Sequence, residues 1–328
     1  MTVEELFLAF EKKKVLVVGD VMIDAYIFGS TRTSDPTPIL NEKRREKRLG
    51  GAANVALNVK ALGATPILCS VVGDDYDGKT FEKLLDEQGM PNKGIIRSQN
   101  RKTTKKLRVL SGANQVVQVD SEDIHPLIDL DRKSLLNHIN DLSAEADLII
   151  FEDYDKGTIH AEIISETISI AKRKGIPVAV DPKSKNFFLY EGVNLFKPRI
   201  SELEKYVSRN LVAGNEDQLK ESIENLHSKI KADNYLVSLD GGDIYYHSSN
   251  SSSIFSTHHR GIADMSGVGN AIISIAGLGL TLGLKEEAIA EISNIAAGIV
   301  AQYSGVVPLS KDQVLKAAAE NQLLQKFL

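Results

Sequence analysis

Lys-Val-Leu-Val-Val-Gly at Lys14–Gly19 is a short run rich in β-branched residues, and it leads directly into Asp20. A continuous apolar run of this length is typical of a strand buried on both faces of a parallel sheet. The next residues, Asp20-Val21-Met22, do not continue into the Gly-x-Gly-x-x-Gly pattern of dinucleotide-binding folds. The run therefore favours an α/β fold and argues against a dinucleotide-dependent oxidoreductase.

Strand-like and helix-like segments alternate along most of the chain. Further strands are predicted at 65–72, 148–151, 178–180 and 235–239, and helices at 51–62, 79–88, 163–174, 271–282 and 287–302. This alternation predicts a mostly parallel sheet that is covered by helices on both faces. Two segments, 25–42 and 102–119, instead alternate apolar and polar residues, as half-exposed antiparallel strands do. We expect them to form a small accessory sheet beside the main layer.

The composition is that of an ordinary globular protein of 328 residues with a formal net charge of −5. The negative balance gives no support to nucleic-acid binding. A single cysteine, Cys69, excludes an internal disulfide and fits a reducing compartment, and its apolar neighbours predict a buried side chain. The acidic start, Met1–Lys14, does not resemble a secretory signal, and no apolar run reaches about 18 residues. We therefore expect a cytoplasmic protein without a membrane span.

The segment Asp264–Asn270, Asp-Met-Ser-Gly-Val-Gly-Asn, precedes an apolar run and predicts a glycine-rich turn at the start of a buried helix. Glycines at a helix entrance leave backbone N–H groups uncovered, and the helix dipole behind them attracts anions. A phosphate could be bound at Gly267 and Gly269 without any basic side chain. A general base could lie at the last position of the segment, but Asn270 carries an amide that cannot take up a proton.

Polar residues elsewhere could complete a ligand site, although each has a structural alternative. Gly50, Gly51 and Asn54 open a predicted helix, where small residues would let a ligand approach the backbone. A tight loop with close helix packing is the alternative. Asp24 follows the first strand at the sheet edge where α/β proteins bind ligands, and it could hold sugar hydroxyls or be a solvated loop residue.

Two further motifs follow predicted strands: Asp153-Tyr154-Asp155-Lys156-Gly157 and Asp181-Pro182-Lys183. Both put carboxylates and a lysine at strand ends, where an α/β enzyme builds its site. Each motif alone is a weak indication of a functional site. Their occurrence at equivalent places after two strands is a stronger one. The pair His258 and His259 has no Cys or His partner at a metal-ligand spacing, so we expect a surface loop there.

Basic residues cluster in both accessory segments. Lys102, Lys105, Lys106 and Arg108 lie in the second segment, where residues 106 and 108 would share one face of a strand. They could bind the phosphate of a substrate, or they could protect an edge strand by charge. The basic run at 43–48 lacks interleaved aromatic residues, so a solvated face is expected rather than a nucleic-acid site.

Together these motifs resemble those of the ribokinase-like (PfkB) carbohydrate kinases, from Val15 to about Pro308. The Gly50–Asn54 stretch resembles the family's N-terminal glycine signature, and Asp264–Asn270 resembles its C-terminal signature, D-T-x-G-A-G-D. Within the family, the chain looks most like the kinases for heptose 7-phosphate in ADP-heptose and lipopolysaccharide-precursor synthesis. The stretches that carry this closer likeness are Gly19–Asp24, Gly50–Ala56, Lys106–Ser111, Asp153–Gly157 and Asp181–Lys183.

The resemblance implies an α/β, ribokinase-like three-layer fold: a doubly wound, mostly parallel sheet with a small β-sheet lid. It implies a single kinase domain over residues 1–328, with lid segments near 25–48 and 102–120, and often a homodimer joined through the lids. It also implies ATP and Mg²⁺. The residues expected at the nucleotide are Lys197, Arg199, Glu202, Ser238, Asp264, Gly267, Val268 and Gly269, with Glu202 near the metal ion. The residues expected at the sugar or sugar phosphate are Asp24, Gly50, Gly51, Asn54, Lys106, Arg108, Asp153, Lys156, Asp181 and Lys183.

Three positions depart from the family pattern. The signature ends in an Asp that serves as the base, whereas this chain has Asn270. The family's N-x-x-E motif, associated with Mg²⁺ and phosphate, appears here with Arg199 in place of Asn and with Glu202 retained. Gln118 stands where close relatives tend to have Arg. The chain is then either a sugar kinase, slow or with a displaced base, or a non-catalytic relative that binds nucleotide or sugar phosphate and acts through a partner.

Bifunctional members of the family carry an additional nucleotidyltransferase domain. A chain of 328 residues is expected to be too short to include one beside the kinase domain. A separate nucleotidyltransferase partner is therefore a further expectation.

Overall fold

The run at Lys14–Gly19 forms a strand in the interior of the main sheet, as its composition predicts. Its side chains alternate between two hydrophobic cores. Val15 and Val17 pack into the core on one face of the sheet, and Leu16 and Val18 pack into the core on the other. The strand is therefore buried from both sides.

The computed structural model describes residues 1–32, 39–112, 114–257 and 264–328, and its elements are numbered here in chain order. The strands are β1 Lys14–Gly19, β2 Val21–Arg32, β3 Ile39–Gly51, β4 Thr65–Gly73, β5 Ile95–Ser98, β6 Lys105–Ser111, β7 Asn114–Ser121, β8 Leu148–Glu152, β9 Val178–Asp181, β10 Leu195–Phe196, β11 Asn234–Ser238, β12 Ile244–Ser248 and β13 Ser252–Phe255. The α-helices are α1 Val3–Phe10, α2 Ala52–Ala61, α3 Tyr76–Glu87, α4 Asp129–Leu142, α5 Ala161–Lys174, α6 Ile200–Val207, α7 Glu216–Ile230, α8 Val268–Thr281, α9 Glu286–Val300, α10 Lys311–Glu320 and α11 Gln322–Phe327.

The main sheet has the strand order β13-β12-β11-β10-β9-β8-β1-β4-β5. Its pairs from β5 to β11 are parallel, and β12 and β13 continue it in antiparallel pairing at one edge. One face packs against α1, α2, α3, α8 and α9, and the other packs against α4, α5, α6 and α7. The predicted doubly wound, three-layer α/β fold is confirmed.

The accessory segments form a four-stranded sheet, β3-β2-β6-β7, which we call the lid. The pairs β2/β3 and β6/β7 are antiparallel, as predicted, but the central pair β2/β6 is parallel. The parallel pair arises because β3, α2, β4, α3 and β5 lie between the two strands along the chain and return it in the same direction. Asp24 is registered with Lys106, and Tyr26 with Arg108.

Two further predictions can be compared with the structure. The helix expected from residue 271 begins at Val268, so Gly269 and Asn270 lie in its first turn. Cys69 is buried in β4, as expected, and burial raises the pKa of its thiol to about 12. Among the described residues, none of the helices has the length and apolarity needed to cross a bilayer.

Candidate functional site

A cavity of about 320 Å³ lies between the lid and the carboxyl ends of the main-sheet strands. Ligands of open α/β sheets bind at this edge. Predicted site residues from distant parts of the chain meet in it. The lining residues are Met22, Asp24, Gly51, Lys106, Arg108, Tyr154, Arg199, Asp264, Met265, Ser266, Gly267, Asn270 and Val306.

The glycine turn forms the floor of this cavity at the N-terminus of α8, with Gly267 as the N-cap residue. Asp264 shapes the turn: its two carboxylate oxygens accept hydrogen bonds from the backbone N–H groups of Ser266 and Gly305, each at 2.8 Å. Although partial burial opposes the charged form, these two amides hold the pKa of Asp264 below its usual value. Asp264 therefore fixes the shape of the turn at the N-terminus of α8, where the helix dipole and N–H groups favour an anion.

Gly269 allows three charged side chains to approach this helix terminus. A Cβ atom built on Gly269 would lie 3.2 Å from Asp181 Oδ2, 3.4 Å from Lys197 Nζ and 3.8 Å from an Arg199 guanidinium nitrogen. Burial disfavours the charged form of Arg199, yet neighbouring carboxylates, Asp181 foremost, hold its pKa above the usual range. Helix N–H groups with Lys197 and Arg199 beside them fit the phosphates of a nucleotide.

Asn270 is fixed at both ends of its amide. Its Nδ2 donates a hydrogen bond to the Gly51 carbonyl at 3.1 Å, and its Oδ1 accepts one from the Tyr154 hydroxyl at 3.2 Å. The side chain is buried between α8 and the start of α2. Its amide can orient a neighbouring hydroxyl group but cannot take its proton.

On the lid, Arg108 forms a 2.5 Å ion pair with the buried carboxylate of Asp24. Arg108 also donates to the Tyr26 hydroxyl at 3.3 Å, and that hydroxyl accepts the Val306 N–H at 3.1 Å. Burial raises the pKa of Asp24, and Arg108 opposes the rise. Gly50 makes this arrangement possible, since a Cβ there would lie 2.1 Å from Asp24 Oδ2.

Lys106 lines the cavity beside Arg108, as expected for two residues on one face of a strand. Its Nζ lies 2.9 Å from an Asp120 carboxylate oxygen and 4.0 Å from Glu122. Lys156 contacts the same Glu122 at 2.7 Å but does not line the cavity. The lid therefore carries its positive charges in ion pairs that an anionic ligand would have to rearrange.

Asp153 does not reach the cavity, although sugar binding was predicted for it. Its carboxylate accepts hydrogen bonds from the Tyr190 hydroxyl at 2.7 Å, Asn186 Nδ2 at 2.9 Å and the Asp155 N–H at 2.8 Å. Burial, together with the nearby charge of Asp20, raises the pKa of Asp153 to about 6. These contacts give Asp153 the role of holding its own loop.

Asn54 lies beneath the glycine turn, with Nδ2 at 3.3 Å from the position of a Cβ on Gly267. It is fully buried, and neither polar atom of its amide has a hydrogen-bond partner among the residues that the structure describes. Buried polar groups are normally paired, so this amide is available to a ligand or an ordered water that reaches the turn.

The remaining predicted residues surround Arg199. Lys197 Nζ is fully buried and lies 2.8 Å from Asp181 Oδ2, and Ser238 pairs with Arg199 through an isolated bridge at the end of β11. Glu202 accepts hydrogen bonds from Lys183 Nζ at 2.7 Å and from the Arg199 N–H at 2.9 Å. This set lies just behind the cavity wall.

Glu202 is the residue predicted to lie near Mg²⁺, and both of its carboxylate oxygens already accept hydrogen bonds. Within the described chain, no three His, Cys, Asp or Glu side chains are grouped as a metal cluster would require. Mg²⁺ usually keeps several waters and binds through one or two carboxylates together with substrate phosphates. Glu202 therefore fits a hydrated ion that is held mainly by a nucleotide.

Sequence reasoning missed three residues of the site. Tyr26 and Tyr154 contribute hydroxyl groups to the cavity region, and Glu152 lies buried behind Tyr154. A signal was available for Glu152, since it is a carboxylate at the end of an otherwise apolar strand. The tyrosines gave none, because a Tyr in a strand or loop is commonly a packing residue.

The basic run at 43–48 is exposed as predicted at Lys43, Arg44 and Arg45. Arg48 differs, since it is half-buried and donates to the Val306 carbonyl at 3.1 Å, which ties the lid to the loop after α9. His258 and His259 lie outside the described residues. A larger cavity of about 770 Å³ opens at the opposite end of β11, and none of the predicted site residues lines it.

Comparison with known proteins identifies relatives over nearly the whole chain. A profile described as pfkB family carbohydrate kinase matches residues 12–312. The bifunctional protein HldE of Helicobacter pylori is 33% identical over 319 residues, which cover 96% of this chain and 68% of that protein. HldE of Citrifermentans bemidjiense is 30% identical over 317 residues, covering 95% of this chain and 65% of that protein. The chain thus spans about two thirds of the length of these curated relatives.

Solved structures share the fold at low sequence identity. Phosphofructokinase-2 from Escherichia coli in complex with substrates and products superposes with a TM-score of 0.80 at 18% identity, covering 94% of this chain and all of that one. Arabidopsis thaliana ribokinase complexed with ribose and ATP superposes with a TM-score of 0.73 at 18% identity, covering 95% and 99% of the two chains. At this identity the likeness establishes the architecture alone.

Proposed function

The chain belongs to the pfkB family of carbohydrate kinases, and from this premise we propose that it transfers the γ-phosphoryl group of ATP to a sugar phosphate, with heptose 7-phosphate as the expected acceptor. One observation carries the proposal: a single cavity joins the α8 terminus and Arg199 to the lid residues Asp24, Lys106 and Arg108. The first group suits a nucleotide phosphate. The second suits a hydroxylated, anionic acceptor.

The geometry divides the work between the two groups. The phosphates of ATP would lie over Gly267–Gly269, with Arg199 beside them, and Glu202 would hold hydrated Mg²⁺, which neutralises phosphate charge when bound. Asp24 would accept hydrogen bonds from sugar hydroxyls, and Lys106 and Arg108 would bind the acceptor's phosphate. Phosphoryl transfer depends mainly on such positioning and charge stabilisation.

The 30% sequence identity to HldE of Citrifermentans bemidjiense supports a role in ADP-heptose synthesis as part of this proposal. A separate nucleotidyltransferase partner belongs to the same proposal. A homodimer joined through the lids is part of the same proposal.

Asn270 favours a second candidate function, a kinase-shaped protein that binds nucleotide or sugar phosphate and acts through a partner. Loss of a general base typically lowers the rate by about 10²–10⁴-fold, or roughly 3–5 kcal/mol of barrier. Both ends of the Asn270 amide are committed to protein groups, so that residue itself offers no replacement.

The two candidates are separated by measuring ATP turnover with heptose 7-phosphate and a panel of sugars and sugar phosphates, in the native chain and in Asn270→Asp. The kinase proposal expects acceptor-dependent turnover in the native chain and a further gain of up to about 10²-fold in the variant. Arg199→Asn, which restores the other family residue, is the companion variant. Ligand binding without turnover in the native chain would favour the second candidate. If both variants leave every measured property unchanged, the assignment of the transfer centre fails.

A further inference from the structure

Glu152 is a buried carboxylate at the last position of β8, directly behind the cavity. Its side chain is 1% exposed, and its Oε2 atom has no hydrogen-bond partner in the part of the chain that the structure describes. It is registered in the sheet with Asp181, so two carboxylates meet at the ends of neighbouring strands. Burying a carboxylate oxygen without a hydrogen-bond partner costs folding free energy, so such a group calls for a charged neighbour or a function.

Charged groups surround Glu152 from three neighbouring segments. Asp181 and Lys183 follow β9, Lys197 and Arg199 follow β10, and Tyr154 lies two residues further along its own loop. Burial and the charge of Asp181 raise the pKa of Glu152 well above its ordinary value. Lys197, Lys183 and a hydrogen bond from Tyr154 act in the opposite direction. A general base with a raised pKa is better matched to neutral pH than an ordinary carboxylate.

Tyr154 connects this carboxylate to the reaction space. Its side chain lines the cavity, and its hydroxyl lies 3.2 Å from Asn270 Oδ1, the position where the family has its base. Its backbone is held in place because Asp20 accepts the N–H groups of Tyr154 and Lys156, at 2.9 and 3.0 Å. The hydroxyl thus lies at the cavity beside Asn270, and Tyr154 follows Glu152 by two residues along the chain.

We propose that Glu152, acting through the Tyr154 hydroxyl, is the proton acceptor that replaces the carboxylate missing at Asn270. The proposal rests on the proposed kinase function. Tyr154 is then a catalytic residue, and Glu152 is a positioning and proton-storing residue behind it.

The step balances without a further reactant. The acceptor hydroxyl oxygen forms a bond to the γ-phosphorus of ATP, and the bond from that phosphorus to the β,γ-bridging oxygen breaks, which releases ADP. The Tyr154 hydroxyl, which donates to Asn270 Oδ1 in the structure, turns toward Glu152 during the step. The proton of the acceptor hydroxyl then passes to the Tyr154 oxygen as the phenolic proton passes to Glu152. Glu152 returns the proton to water once the product has left.

Glu152 could instead be a purely structural neighbour of Lys197. Substitutions separate the two roles: Glu152→Gln keeps the size of the side chain and removes the acceptor, and Tyr154→Phe removes only the hydroxyl. Glu291→Gln is the matched control, because Glu291 is also buried but lies in α9, away from the cavity lining. The measurements are kcat and KM from pH 5 to 9, with circular dichroism and thermal melting as checks on folding.

We expect Glu152→Gln and Tyr154→Phe each to lower kcat by about 10²-fold or more, with no further loss in the double variant because the two groups act as one unit. Native kcat should rise with pH as Glu152 loses its proton, and this acidic limb should vanish in Glu152→Gln. Asp153 has a pKa of about 6, so a limb that persists in that variant would be attributed to Asp153 instead. In the Asn270→Asp background, which restores a direct base, Glu152→Gln should cost less than about 3-fold.

Several outcomes would overturn the inference. Native kcat and an intact acidic limb in Glu152→Gln would do so, as would an equal loss in the native and Asn270→Asp backgrounds, which indicates a structural role. Activity that appears only with Asn270→Asp would overturn the inference and favour the non-catalytic candidate, whereas native turnover that Glu152→Gln leaves unchanged would overturn the inference alone. No turnover of any acceptor in either chain would remove both.

Discussion

The two ends of the cavity differ in how their charges are satisfied. At the lid end, each charge has an opposite partner before any ligand is present: Asp24 pairs with Arg108, and Lys106 with Asp120. At the sheet end, Glu152 and Asp181 share the neighbourhood of Lys197, and one oxygen of Glu152 has no partner among the described residues. Perturbed, incompletely compensated groups cluster at functional sites, so this contrast favours the sheet end as the place of the chemistry.

This difference indicates how each end of the cavity should respond to substitution. The lid end brings together Asp24, Lys106 and Arg108, the residues proposed to bind the acceptor. The sheet end holds Asn270 and Arg199, where the sequence differs from the pattern that the resemblance implies, together with the buried Glu152. Changes in the lid should therefore alter acceptor affinity, and changes at the sheet end should alter rate and stability.

The largest effect is expected from Lys197→Met, which removes a fully buried cation 2.8 Å from Asp181. Breaking a buried ion pair at one partner typically costs about 3–5 kcal/mol of unfolding free energy. Lys197 lowers the pKa of Glu152, so that pKa should rise further in the variant. A carboxyl group with a raised folded pKa contributes stability below its unfolded value of about 4.5 and loses it as pH rises through the folded pKa. Between pH 5 and pH 9, the deficit should therefore grow once the pH exceeds the folded pKa of Glu152 in the native chain.

Urea denaturation of the native chain and the variant across this pH range measures that deficit. Lys83→Met is the control, since Lys83 and Glu87 form an exposed ion pair at 3.7 Å on α3, and such pairs contribute little. A loss in Lys197→Met that matches the control, or that does not change with pH, would contradict the account of the sheet end.

An intermediate effect is expected from Arg108→Ala at the lid end. The substitution removes a cation from the acceptor site and leaves Asp24 buried without its partner. A hydrogen bond to a charged group contributes about 1.5–3 kcal/mol, so KM for the sugar phosphate should rise by about 10–100-fold. KM for ATP should stay nearly constant, and Arg108→Lys should recover part of the loss because it restores charge without the planar fork. A change in KM for ATP comparable to that for the acceptor would break the division between the two ends.

A structural feature could be predicted from the sequence where a short stretch of neighbouring residues determines it. An apolar run predicts the strand at Lys14–Gly19, and the glycine spacing predicts the turn at Gly267–Gly269. The structure confirms the fold that such local patterns predict. The parallel pairing of β2 with β6 depends on the path of the intervening chain, which no local pattern reveals. Asp153 and Asp181 both lie at the end of a strand with a lysine nearby, so the sequence does not distinguish them. Only the hydrogen bonds from Tyr190 and Asn186 show that the Asp153 carboxylate points away from the cavity.

The smallest effect on stability, and the sharpest test of whether the lid end is complete in one chain, is expected from Val117→Lys. Val117 and Val119 project from the same side of β7, 47% and 52% exposed, and β7 is an edge strand of the lid as described. Apolar edge strands favour pairing with another chain, and a lysine there opposes it.

The Val117→Lys variant should keep the monomer's unfolding free energy within about 0.5 kcal/mol and shift sedimentation from dimer to monomer. Leu130→Lys, at an apolar position on α4 that is 74% exposed, should leave the association state unchanged. If lids join in pairs, KM for the acceptor should fall as native protein concentration rises while KM for ATP does not; a native chain that sediments as a monomer would instead show that the lid end binds its ligand without a second copy.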